Sequence, residues 1–120
     1  MIKHIYEAVK SVSEIDDYID SIHMREKHDW DLTEFKYFEL KEIPVNKIND
    51  FEYMYDAYWV EKLVTDPRFV ENLDPLVVYP LEEKINGKLY EYDLIDGMHR
   101  LMALKELGIK KVKTWVGVRK

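Results

Sequence analysis

The chain switches from extended to helical patterning at one point, Ile95-Asp96-Gly97-Met98, and no other feature constrains its fold as tightly. Before the switch, Leu89 to Ile95 reads as a strand. After it, Leu101, Met102, Leu104 and Leu107 fall at the spacing of one helix face. Gly108 stands where a left-handed helix cap is wanted, and Val112, Trp115, Val116 and Val118 supply a last strand. Upstream, Leu76-Val77-Val78-Tyr79 is a run of β-favouring residues closed by Pro80. Asn86-Gly87 is a turn signal, because both residues tolerate positive φ. The last third therefore predicts a hairpin, a helix and a returning strand, in that order.

Phe35 to Glu42 alternates as a strand followed by Ile43-Pro44-Val45. Pro44 has no N–H for a central ladder, which puts this end at an edge or a strand exit. Tyr53 to Val64 carries Tyr55, Tyr58, Trp59 and Leu63 at helical spacing, and Asp66-Pro67 marks its end. That spacing predicts that Tyr55, Tyr58 and Trp59 are mostly core. Residues 1–34 read as a helical N-terminal extension. Ile2, Ile5, Tyr6, Val9 and Val12 keep helical spacing, as do Ile15, Tyr18, Ile19 and Ile22. Ser11 followed by Glu14 matches a capping box between the two runs. The fold class is α+β: an extension over 1–34 ahead of a domain over 35–120.

At 120 residues the chain is long enough for one core and short for two. No apolar run approaches the roughly 18 residues of a membrane helix, so no membrane partner is expected. The start, Met1-Ile2-Lys3-His4-Ile5-Tyr6-Glu7, is charged from its third residue and lacks an apolar signal core. The expected location is cytoplasmic. Absence of cysteine excludes thiol chemistry and thiolate metal sites. His23 and His28 are five apart and do not share a helix face as a zinc pair would.

A net charge of −6 argues against broad affinity for nucleic acid, but the charge is unevenly placed. Residues 1–34 are acidic, whereas Lys105, Lys110, Lys111, Lys113, Arg119 and Lys120 face only Glu106 after Leu101. An anionic ligand toward the C-terminal end is electrostatically reasonable.

Asp96-Gly97-Met98-His99-Arg100 is where such an anion fits best. The first turn of a helix offers unpaired N–H groups and a partial positive charge. Gly97 lets the backbone turn sharply and approach a phosphate closely. Arg100 offers a planar fork of donors, and His99 another donor whose charge changes near neutral pH. Asp96 can cap the helix, hold a metal-bound water or accept a proton from a hydroxyl. Each residue also has an ordinary reading, since Asp-Gly is a common turn and His-Arg often a solvated pair.

This order of elements resembles the signature of the ParB/sulfiredoxin-like superfamily: strand, Asp96-Gly97-x-His99-Arg100, a helix with Ala103-Leu104, Leu107-Gly108 and a Val-rich strand. The likeness covers Phe35 to Val118, including Ile43-Pro44-Val45, the helix near Glu61 and Pro75-Leu76-Val77-Val78; residues 1–34 lie outside it. It implies a compact mixed sheet with helices that binds nucleotide phosphates through the Gly97 and Met98 backbone, His99 and Arg100. The implied ligands are ATP or ADP, or another nucleotide, with Mg2+.

Sulfiredoxins require a cysteine where Met98 stands, so that activity is excluded. ParB partition proteins carry an Arg-rich motif and a downstream helix-turn-helix, whereas only 20 residues follow Arg100. A partition role for this chain alone is not expected. The motif is most similar to that of free-serine kinases, which also use an acidic residue near the place of Glu52, with Asp50 beside it.

The first expectation is thus a nucleotide-binding enzyme, a phosphotransferase or nucleotide hydrolase. Asp96 would act as base or metal ligand, His99 would assist, and Glu52 is a further catalytic candidate. The alternative is a DNA-binding or nuclease-like module, or a protein-interaction accessory of a mobile element. The N-terminal helices would then serve a protein partner or a homodimer.

Overall fold

The computed structural model describes residues 9–23, 31–49, 56–81 and 90–120. Among them six strands form one mixed sheet: β1 (Val9–Ser11), β2 (Phe35–Pro44), β3 (Ile48–Asn49), β4 (Leu76–Pro80), β5 (Tyr92–Asp96) and β6 (Lys111–Arg119). Their order is β1-β2-β6-β4-β5-β3. Three helices accompany it: α1 (Val12–His23), α2 (Ala57–Thr65) and α3 (Met98–Glu106). This is the expected α+β class. The hairpin partners β4 and β5 run antiparallel, while β4 pairs parallel with β6 across the α3 crossover.

Two apolar clusters lie on opposite faces of the sheet. Val60 of α2 and Leu101, Ala103 and Leu104 of α3 pack with Leu76, Val78, Leu94 and Val116 on one face. Ile15 and Ile19 of α1 pack with Phe38, Val77, Ile95 and Trp115 on the other. Alternation along each strand explains the split, since neighbours such as Leu94 and Ile95 point to opposite sides. It also explains why Leu76, Val77 and Val78 form an unbroken apolar run: β4 is covered on both faces and all three are fully buried.

The N-terminal segment differs from expectation. Val9–Ser11 is a strand, not helix, and pairs antiparallel with β2, Lys10 opposite Phe38. The sheet edge provides backbone partners that override the helical spacing of Val9 and Val12. The capping box itself marks the boundary: Glu14 N–H donates to Ser11 Oγ at 3.1 Å and Ser11 N–H to Glu14 Oε1 at 2.9 Å. These bonds hold the Glu14 carboxyl below its usual range. Because Ile15 and Ile19 are fully buried, residues 9–23 share the sheet and core of the rest. A partner docking on α1 would meet its acidic side, since the apolar stripe is already used.

Candidate functional site

β5 reaches the site through a bulge. Val78 faces Leu94 but Val77 faces Asp96, so Ile95 is extra at the strand end. Gly97 then turns the chain at φ 112° and ψ 29°, a left-handed conformation. A Cβ there would lie 2.5 Å from Leu76 Cδ2 and 3.0 Å from Arg100 Nη2. Glycine is therefore required twice, by dihedral and by space. The first intrahelical bond of α3 runs from Leu101 N–H to the Gly97 carbonyl at 2.8 Å. The amides of Met98, His99 and Arg100 precede it, at the positive end of the helix dipole.

The side chains of the motif divide into two directions. Arg100 turns inward. Its Nη2 lies 2.8 Å from Asp96 Oδ2, with the two side chains only 13% and 5% exposed. Its Nη1 donates to the carbonyls of Asp74 at 2.6 Å and Pro75 at 2.9 Å. The Tyr18 hydroxyl reaches the same Pro75 carbonyl at 2.6 Å, which connects α1 to this corner. Burial pushes the Tyr18 phenol above its usual value, and the neighbouring Arg100 charge offsets part of that. His99 turns the other way, to α2: its Nε2 accepts the Asp56 N–H at 2.9 Å. Accepting that bond uses the Nε2 lone pair and leaves Nδ1 as the ring's other polar atom.

The structure thus joins Asp96, Gly97 and Arg100 in one latch and sends His99 to the neighbouring helix. Glu52 and Asp50 lie outside the described residues. Among the described residues no group of three His, Asp or Glu side chains converges as a metal site. Asp96 fits Mg2+ poorly as well, being buried and already facing a guanidinium. Beside Arg100 a cleft of about 180 Å³ opens along the segment that follows α2, lined among others by Leu63, Asp66, Arg68, Asn72 and Asp74.

The ParB N-terminal domain family matches residues 24–120, most of the chain. The chain belongs to this family. Comparison with curated proteins gives no match. Among solved structures, the C-terminally truncated chromosome-partitioning protein ParB from Caulobacter crescentus, complexed with CTP-γ-S, superposes with a TM-score of 0.52 at 21% identity. That likeness covers 68% of this chain and 45% of the other. Sulfiredoxin from Arabidopsis thaliana gives a TM-score of 0.47 at 22% identity, over 64% of this chain and 82% of that one. A free serine kinase mutant in complex with AMP gives 0.47 at 18% identity, over 74% and 35%. The chain spans less than half the length of the ParB and kinase chains.

Two features of this ParB N-terminal domain escaped the sequence reading. Asp93, 8% exposed, accepts the Tyr79 hydroxyl at 2.6 Å and the Asn49 amide at 3.2 Å. Burial and the bond to Asp93 raise the Tyr79 phenol to about 12. Nothing in the sequence pairs these positions, because the contact is made across β3, β4 and β5. The second feature corrects an expectation. Tyr58 and Trp59 are 58% and 48% exposed rather than core. Val60, Leu63 and Val64 instead turn toward the sheet, which puts Tyr58 on the opposite side of the helix and Trp59 at the margin of the packed face.

Proposed function

We propose that this domain binds a nucleotide through its phosphates at the beginning of α3. One observation carries the reading: Gly97, in a conformation and space open only to glycine, presents the amides of Met98, His99 and Arg100 at the helix start. Arg100 stands behind the turn as a strut that fixes Asp96 and the Asp74-Pro75 backbone. Its direct use on a phosphate would require release of those partners. His99 is held in one orientation by the Asp56 N–H. Family membership and the CTP-γ-S complex of the Caulobacter ParB support a nucleotide, with ATP, ADP and CTP as the ligands to try. Any Mg2+ would arrive on the phosphates rather than in a carboxylate cage. Because the Asp96 carboxylate is committed to Arg100, the geometry favours binding ahead of phosphoryl transfer or hydrolysis.

Calorimetric titration with ATP, ADP and CTP, each with and without Mg2+, tests this. At least one should bind, and His99→Ala should weaken it several-fold while the domain stays folded, with only the modest stability loss of one hydrogen bond to Asp56. Absence of heat with all three ends the reading.

A second reading, contact with a DNA backbone, is favoured by a groove of about 550 Å³ at the other end of α3, lined among others by Lys105, Lys110, Lys111, Asn46 and Tyr90. Binding there should fall steeply with salt in a gel-shift series.

A further inference from the structure

The exposed pair Tyr58 and Trp59 stands on the helix whose N-cap residue is hydrogen-bonded to His99. Both residues occupy the first turn of α2, whose N-cap Asp56 accepts the Tyr58 N–H on its side chain at 2.9 Å. The Asp56 carbonyl accepts the Trp59 N–H at 3.1 Å, and the Asp56 N–H donates to His99 Nε2 at 2.9 Å. Trp59 is therefore fastened through one residue to the imidazole at the start of α3.

The two rings meet edge to face, with centroids 5.5 Å apart and planes at 75°. Lys62 Nζ lies 5.4 Å from the Tyr58 centroid and 5.5 Å from that of Trp59. An aromatic platform with a cation beside it matches a ligand that has both a flat π-face and negative charge. A nucleotide has both, and a base stacks on any aromatic ring with little regard to sequence. From this we infer that Tyr58, Trp59 and Lys62 form the base-stacking subsite of the nucleotide whose phosphates lie at the α3 N-terminus. The inference rests on the phosphate-binding reading above. The base stacks on the indole, and Lys62 meets the charge of the same ligand.

The test compares ADP with inorganic tripolyphosphate, which has phosphates but no base, on the wild type and on Trp59→Ala and Trp59→Phe. The expected result is that Trp59→Ala weakens ADP about tenfold while tripolyphosphate binds as before. Trp59→Phe, which keeps a ring, should recover most of the loss. ADP, and not tripolyphosphate, should quench the wild-type tryptophan fluorescence, and the quench should be lost in Trp59→Phe. If ADP binds Trp59→Ala as well as wild type, the stacking subsite is overturned and the phosphate site stands. If both probes weaken equally, Trp59 acts through the phosphate site and the subsite is again overturned. If neither probe binds wild type, the subsite is overturned, and the phosphate reading fails as well when ATP and CTP also give no heat.

Discussion

Arg100 Nη2 and Asp96 Oδ2 lie 2.8 Å apart, a bond from the first turn of α3 to the last residue of β5 across the glycine that separates them. The sequence alone suggests that Arg100 faces an external anion. The geometry gives the opposite expectation. Arg100→Ala would leave a carboxylate that is 5% exposed without its cation, and would free the carbonyls of Asp74 and Pro75. Losing one partner of a buried pair costs about 3 kcal/mol or more. Urea denaturation should show that loss, and Arg100→Lys should recover only part, since an ammonium cannot bridge three acceptors as a planar fork does.

Gly97→Ala should be destabilising by about 2–4 kcal/mol, combining strain at positive φ with overpacking. The new methyl would meet Cδ2 of Leu76, a β4 side chain that is fully buried in the core. Chemical denaturation checks the magnitude. Gly97→Ala combined with Leu76→Val should recover some stability if the clash is the larger part.

The Tyr79–Asp93 bond predicts an alkaline signature. The phenol titrates near 10 in an unfolded chain and at about 12 in the fold, so the native state favours the protonated form. Its contribution is complete below pH 10 and is lost as pH rises toward 12. Tyr79→Phe should be less stable at pH 8 by about 1–3 kcal/mol, because Asp93 loses a donor. The difference between wild type and Tyr79→Phe should shrink between pH 10 and 12. Urea midpoints of the two proteins across that range are the measurement.

Ile19→Ala should cost about 2–5 kcal/mol, the range for a large aliphatic side chain removed from a packed core. Ile19 is fully buried against the sheet face that carries Phe38 and Trp115. A dispensable N-terminal extension would instead tolerate the change. Thermal melting of the variant separates these outcomes.

Most elements were legible because their signals are local. Asp66-Pro67 ends α2, Gly108 follows α3 at φ 71°, and the Ser11–Glu14 box starts α1. What was missed depends on partners distant in sequence. Val9–Ser11 is a strand because β2 has a free edge beside it. Tyr58 and Trp59 are exposed because Val60 and Leu63 won the inward face of the same helix.

The amino-acid sequence by itself determined the α+β class, the strand-to-helix switch at Asp96-Gly97 and the motif that marks the family. Each follows from periodicity, glycine's freedom at positive φ, or the order of a few residues. Only the tertiary structure decided where the motif's side chains point. Arg100 went inward to Asp96 and His99 outward to Asp56. Adjacent residues on a helix diverge by about 100°, and which direction is interior depends on the elements packed there. Asp74, Pro75 and Asp56 set that choice, and they lie more than a score of residues away along the chain.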